Sequence, residues 1–307
     1  MIDDTKFILR SGIEIPNIGF GPGIMGYSAK MKKQSSKLAQ LTYRAINKVL
    51  LRPWQKKKFE NSIAEALKNG YRLLDYSNTY GNLSLIAKSI EKSGVPRNDL
   101  FITTRISNQA QFSNNVRDEF MFALEDMRLD HVDMLQFHWP VTDKYINTWE
   151  TMIQLQKDGF VKVLGVANCH RHHIDTLEKA TGVLPELNQI EVHPLFTQKP
   201  LIEFCKSRKI LVEAYTPVAR YDDRLVRLPL LKKLEKKYSK DFIQLIIRWH
   251  IQNGVIPVTK SLNPVHQKSN IDIYDFKISD EDMDLIDSIN INSRLRYDPD
   301  NCDFTIL

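Results

Sequence analysis

Short apolar segments alternate with amphipathic segments along most of the chain, and this alternation constrains the fold more than any other feature. Eight apolar segments are typical of buried strands, and they are 17–21, 71–77, 100–106, 132–139, 161–168, 187–192, 211–217 and 254–259. The segments between them repeat apolar residues at helical spacing. Eight strands with crossover helices predict an α/β fold, a (β/α)8 TIM barrel, with an N-terminal β-hairpin over residues 6–16.

For two of the helices, the sequence predicts where one end lies. Residues 58–69 present Phe59 and Ile63 on one face, and Gly70 is predicted to stop that helix. Residues 113–128 form a second amphipathic helix, for which Ser113 is the predicted N-cap.

Length and composition exclude several classes of protein. The 307 residues contain no GxGxxG fingerprint after a strand, so a Rossmann fold is not expected. No apolar run approaches the ~18 residues of a membrane span, and the N-terminus lacks a signal-peptide layout. Three scattered cysteines (Cys169, Cys205 and Cys302) favour reduced thiols over a metal site or disulfides. We expect a cytoplasmic protein with one domain over residues 1–307.

Polar residues follow three successive predicted strands. Asp75 and Tyr80 follow the second strand, Arg105 ends the third, and His138 ends the fourth. Side chains at such ends converge on one face of a parallel barrel, where active sites are built. A phenol beside a cation, a carboxylate and an imidazole predicts a proton-donating site, because the cation lowers the pKa of the phenol.

The chain resembles the aldo-keto reductases through motifs that run in order from residue 7 to residue 304. The motifs are GIEIPNIGFG, GYRLLDYSNTYGN, LFITTRISN, LDHVDMLQFHWP, GFVKVLGVAN, LNQIEVHPLFTQ, VEAYTPV, IIRWHIQNGV and DPDNCDF. The resemblance implies a (β/α)8 barrel that reduces aldehydes and ketones to alcohols with NAD(P)H.

The family tetrad of Asp, Tyr, Lys and His falls on Asp75, Tyr80, Arg105 and His138, so arginine stands at the lysine position. The resemblance implies that Tyr80 donates the proton and that His138 orients the carbonyl, with Trp139 as a pocket wall. Guanidinium differs from ammonium in shape and in charge distribution. The substitution therefore leaves three alternatives open: a reductase with altered pH behaviour or slow turnover, a cofactor-binding protein or sensor with weak or no catalysis, and a different chemistry.

The resemblance also implies a set of cofactor contacts. Asn168 and Gln189 match the residues that hold the nicotinamide carboxamide, and Tyr215 matches the ring that stacks on it. The remaining implied cofactor-binding positions are Thr216, Lys260, Ser261, His266 and Asn270. Lys260 and the nearby Lys268 favour NADPH over NADH, since a 2′-phosphate needs cations.

A basic insertion over about 27–58 is the main departure from the family. It holds ten Lys and Arg and no Asp or Glu, whereas the rest of the chain holds 33 basic and 37 acidic residues. Residues 35–54 are predicted to form a helix that Pro53 ends. The open alternatives are a solvated helix on the barrel, a lid that favours bulky or anionic substrates, and a site for an anionic membrane surface or acidic partner. No nucleic-acid motif accompanies the charge. A monomer or dimer is expected.

Overall fold

The computed structural model describes residues 5–23, 52–78 and 83–306, and it confirms the predicted barrel. Eight strands close in the order β10-β3-β4-β5-β6-β7-β8-β9, beside a two-stranded hairpin of β1 and β2. The strands are β1 (Lys6–Ile8), β2 (Glu14–Pro16), β3 (Gly19–Phe20), β4 (Leu73–Asp75), β5 (Phe101–Ile106), β6 (Val132–Phe137), β7 (Val161–Ala167), β8 (Leu187–Glu191), β9 (Leu211–Tyr215) and β10 (Val255–Thr259).

Helices connect the parallel strands and cover the outside of the barrel. They are α1 (Arg52–Lys68), α2 (Leu83–Ser93), α3 (Asn108–Ser113), α4 (Val116–Met127), α5 (Tyr145–Lys157), α6 (Arg171–Thr181), α7 (Lys199–Ser207), α8 (Asp223–Val226), α9 (Pro229–Tyr238), α10 (Phe242–Gln252), α11 (Pro264–Ile271) and α12 (Asp280–Asp287). Their apolar faces and the outward side chains of the strands form the main hydrophobic core.

The hairpin covers the amino-terminal end of the barrel. Leu9 and Ile15 are buried in a second apolar cluster with Leu73, Phe101 and Leu187, each of which lies at or near the start of its strand. Since this end is filled with apolar side chains, the carboxyl ends of the strands remain for a polar site.

Two details of the helices differ from the prediction. Helix α1 spans Arg52–Lys68, so Pro53 lies in the first turn of a helix, where the sequence predicts a helix end. Proline suits a first turn because its fixed φ is helical and its missing N–H would have no helical partner there. Most of the predicted insertion helix lies outside the described residues.

Ser113 is the last residue of α3, where its hydroxyl donates to the Gln109 carbonyl at 2.8 Å, and it is not an N-cap. Asn114 adopts a left-handed conformation and separates α3 from α4, whose N-cap position is Asn115.

Two further observations concern membrane spans and thiols. Within the described parts of the chain, the helices lack the combination of length and apolar character that crossing a bilayer requires. Cys169 and Cys205 are buried free thiols, and burial raises the pKa of Cys205 to about 11, as expected for unreactive cysteines.

Candidate active site

The predicted site residues at strand ends lie at one end of the barrel. Asp75 is the last residue of β4, and Arg105 is paired in register with Gln136 near the end of β5. His138 directly follows β6, and its backbone N–H donates to the Ile106 carbonyl at 3.0 Å. Because these strands are parallel, the three side chains belong to the carboxyl-terminal face.

Asp75 and Arg105 form a buried ion pair. Nη2 of Arg105 donates to Oδ1 of Asp75, and Nη1 donates to the Tyr76 carbonyl at 3.0 Å. Burial raises the pKa of Asp75, and the positive charge of Arg105 opposes that rise. The pair therefore fixes a guanidinium at the position where the family has lysine.

A second buried carboxyl group, Glu213, faces the pair, and the sequence prediction missed it. Nε2 of Gln189 donates to Oδ2 of Asp75 at 3.2 Å and to Oε2 of Glu213 at 2.6 Å. Burial, and after it the charge of Asp75, raises the pKa of Glu213 to about 8. Glu213 is therefore largely protonated at neutral pH. The signal was an acidic residue between Val212 and Ala214, within an otherwise apolar strand.

His138 is half-buried and is held as neutral imidazole. Burial, and after it the charges of Arg105 and Arg296, lowers its pKa to about 3. Trp139 beside it is buried, with its ring centroid 6.4 Å from that of Phe304. Its Nε1 has no acceptor among the described residues. A ring N–H of a neutral imidazole can donate to a carbonyl oxygen without carrying charge.

Tyr80, the predicted proton donor, lies outside the described residues, and its role stays a prediction. Its place in the sequence is five residues after Asp75, in the connection that leads from β4 to α2.

Asn168, Gln189 and Tyr215, which the resemblance assigns to the nicotinamide, lie next to one another, and their contact with a cofactor stays a prediction. Nδ2 of Asn168 donates to the His138 carbonyl at 2.9 Å, and its Oδ1 accepts from the Tyr215 hydroxyl at 2.7 Å. The Asn168 amide keeps a second N–H that no described residue uses. The hydroxyl oxygen of Thr216 is buried and also lacks a partner within the described chain. These groups fit a planar carboxamide ligand.

The residues predicted to contact the adenosine end follow β10. Lys260 is exposed. Its Nζ lies so close to Gly23 that a Cβ at that glycine would be only 2.7 Å from the Nζ. Ser261 accepts from the Asn263 backbone N–H at 3.1 Å, and His266 is exposed on α11. Asn270 is buried. Their contacts with a cofactor stay predictions.

The segment that follows α12 closes one side of the mouth. Glu191, at the end of β8, accepts from the backbone N–H groups of Leu295 at 2.6 Å and Arg296 at 2.8 Å. Asp300 accepts from Nδ1 of His170 at 2.7 Å. These bonds tie residues 293–304, including Phe304 against Trp139, to the barrel.

Comparison with known proteins gives matches over most of the chain. A family model described as "Aldo/keto reductase family" matches residues 48–291. The chain is 38% identical over 239 residues to the glyoxal reductase of Bacillus subtilis (strain 168), covering 78% of this chain and 86% of that protein. It is 35% identical over 251 residues to methylglyoxal reductase DkgA of Escherichia coli (strain K12), covering 80% and 90% respectively.

Solved structures agree in fold. MGS-M4, an aldo-keto reductase from a Medee basin deep-sea metagenome library, gives a TM-score of 0.84 at 28% identity, covering 97% of this chain and 99% of that one. An aldo-keto reductase of Bombyx mori in complex with NADP gives 0.81 at 27% identity, covering 96% and 95%. The chain belongs to the aldo/keto reductase family.

Proposed function

We propose that this protein reduces an aldehyde or ketone to an alcohol with NADPH, with Tyr80 as the proton donor. The observation that carries the proposal is the buried Asp75–Arg105 ion pair beside a neutral His138 at the carboxyl-terminal end of the barrel. Bound NADPH supplies the hydride that the carbonyl carbon accepts.

The residues of the chain then orient the carbonyl and deliver a proton. The His138 ring N–H donates to the carbonyl oxygen, and the Tyr80 hydroxyl gives that oxygen its proton. The Arg105 charge lowers the pKa of the phenol, and Asp75 holds the guanidinium in place. Trp139, whose Nε1 has no acceptor among the described residues, forms the pocket wall.

Cofactor binding is assigned to two groups of residues. The second N–H of Asn168, the amide oxygen of Gln189 and the ring of Tyr215 hold the nicotinamide. Lys260, Ser261, His266 and Asn270 hold the adenosine end, and the cationic Lys260 and Lys268 favour the 2′-phosphate of NADPH over NADH.

Small carbonyl compounds are the proposed substrates, because two relatives are named as glyoxal reductase and methylglyoxal reductase. Consumption of NADPH with glyoxal, methylglyoxal and a panel of monoaldehydes tests the activity. Tyr80→Phe should lower kcat by ~10²–10⁴-fold while NADPH still quenches the protein fluorescence. Tyr238→Phe, which removes a hydroxyl bonded to Asp282, is the matched control. Retention of most of kcat by Tyr80→Phe would exclude this residue as the acid.

A cofactor-binding protein with weak catalysis is the second candidate. The observation that favours it is that the two terminal nitrogens of the Arg105 guanidinium donate to Asp75 and to the Tyr76 carbonyl. Tight NADPH binding without turnover of any carbonyl in the panel would support this candidate.

We infer a cytoplasmic protein with one barrel domain over residues 1–307, whose basic insertion acts as a lid or meets an anionic membrane surface or acidic partner. Since α1 begins at Arg52, a deletion of 30–50 spares that helix, whereas a deletion that extends to residue 56 removes its first turn. Co-sedimentation with anionic and neutral vesicles, with and without 30–50, tests the membrane alternative. Equal sedimentation of both proteins would exclude it.

A further inference from the structure

The chain after α12 is anchored beside the catalytic face by the carboxylate of Glu191, which has three hydrogen-bond partners. Oε1 of Glu191 is 2.9 Å from Nε2 of His193 and accepts from the Leu295 N–H, while Oε2 accepts from the Arg296 N–H. Glu191 pairs in register with Tyr215 on the neighbouring strand. The Arg296 backbone is therefore held above the end of β8, next to Tyr215.

The Arg296 backbone lies at the carboxyl-terminal end of β8, on the face of the barrel that also holds His138 and Tyr215. Burial lowers the pKa of His138 and the positive charge of Arg296 acts in the same direction, whereas at Tyr215 that charge opposes the rise in pKa that burial causes. Arg296 is half-buried, so its charge is only partly screened by water.

Arg296 has no carboxylate within ion-pair distance among the described residues, and it differs in this from its neighbour Arg294. Arg294 lies 4.0 Å from Asp298 and 3.5 Å from Nε2 of His170, and its guanidinium carbon is 4.7 Å from the Phe196 ring centroid. The Arg296 guanidinium carbon lies 5.7 Å from the Tyr297 ring centroid. When a guanidinium packs over the face of an aromatic ring, its N–H groups point outward in the guanidinium plane and can still donate hydrogen bonds.

We propose that Arg296 determines substrate specificity by binding an anionic group, a carboxylate or a phosphate monoester, on the carbonyl compound that is reduced. The inference rests on the proposed reductase function and narrows its substrate class. A guanidinium can hold either anion through two parallel N–H bonds. Bound this way, the substrate is oriented from the end opposite to the carbonyl that His138 holds.

The experiment compares aldehydes that differ only in charge. Succinic semialdehyde is compared with its methyl ester, and glyceraldehyde 3-phosphate with glyceraldehyde, for the wild type and for Arg296→Gln. Charge-assisted bonds predict that the variant raises KM for the anionic aldehydes by ~10–100-fold, with a smaller change in kcat. The uncharged partners should change by less than about twofold. The pair with the larger loss identifies carboxylate or phosphate as the preferred anion.

Two further variants separate charge from structure. Arg296→Lys keeps a cation and should recover part of the loss. Arg227→Gln removes an arginine that is exposed on the surface and paired with Asp223, and it should leave both substrate classes unchanged. Equal losses for charged and uncharged aldehydes in Arg296→Gln would overturn the inference. So would a fall in NADPH affinity, which would place Arg296 on the cofactor phosphates.

A binding measurement keeps this inference distinct from the proposed activity. Succinate, which has no reducible carbonyl, is titrated calorimetrically into the NADPH-saturated wild type and Arg296→Gln. Binding that the variant loses supports the anion site even if no aldehyde is turned over, whereas absence of binding to the wild type contradicts it.

Discussion

The interior of the barrel and its mouth differ in how their buried polar groups are hydrogen-bonded. In the interior, Asp75, Arg105, Gln189 and Glu213 are linked to one another by hydrogen bonds, although Oε1 of Glu213 has no partner among the described residues. At the mouth, the Trp139 Nε1 and the Thr216 hydroxyl are buried with no partner in the described chain.

The two regions therefore serve different purposes. A buried network of groups that bond one another fixes positions and is costly to break. Buried groups without partners reduce stability in the free protein, and they recover their bonds only when a ligand supplies them. The interior is thus built for geometry and the mouth for binding, and four substitutions test that division.

The largest effect is expected from Asp75→Ala, because it leaves Arg105 buried without its carboxylate. Breaking a buried ion pair from one side should lower the free energy of unfolding by ~3–5 kcal/mol, as measured by urea denaturation. Asp223→Ala, which breaks a surface pair with Arg227, is the control and should change the value by at most about 1 kcal/mol. Similar losses in both variants would mean that the buried ion pair contributes no more to the free energy of unfolding than a surface pair does.

Glu213→Gln should change how stability depends on pH. The folded pKa of about 8 lies above the ~4.3 of an unfolded glutamate, so the folded state binds the additional proton between these values. Stability contributed by this proton is present below the unfolded pKa and is lost as pH rises through the folded pKa. The variant should match the wild type near pH 4.5 and become progressively more stable relative to it up to about pH 8. A difference that stays constant with pH would contradict the assignment.

Arg105→Lys should raise kcat several-fold and shift its pH profile. An ammonium is a compact charge and lowers the pKa of the Tyr80 phenol more effectively than a guanidinium that also bonds the Tyr76 carbonyl. Steady-state rates with one aldehyde from pH 5 to pH 9 provide the measurement. Lower kcat at every pH would show that this interior has adapted to arginine.

The smallest effect on stability is expected from Thr216→Val at the mouth. The two side chains have the same shape, and the hydroxyl has no described partner to lose. The free energy of unfolding should stay within about 1 kcal/mol or rise slightly, while NADPH affinity falls several-fold if the hydroxyl contacts the cofactor. A clear loss of stability would reveal a partner for that hydroxyl in the free protein.

The fold could be predicted because strand and helix periodicity depend on local sequence. The start of α1 was missed because Pro53 is compatible with both the end and the first turn of a helix, and only the surrounding structure decides between them. Asp75, Arg105 and His138 were found at strand ends, where the barrel brings them together. Arg296 was missed because Glu191 anchors it from more than a hundred residues away, which no local pattern indicates.

The closure of the barrel has a consequence for how the protein is made. Strand β3 completes the ring by pairing with β10, and Thr259 Oγ1 donates to the Gly19 carbonyl across 240 positions of sequence. At ~5–20 residues per second, a ribosome needs roughly 10–50 s to synthesise that interval. During that time one edge of the growing sheet has no partner strand, and open edges are where sheets join other chains. We therefore expect release of the nascent chain before residue 259 to yield aggregates, whereas release after it yields a barrel that can close.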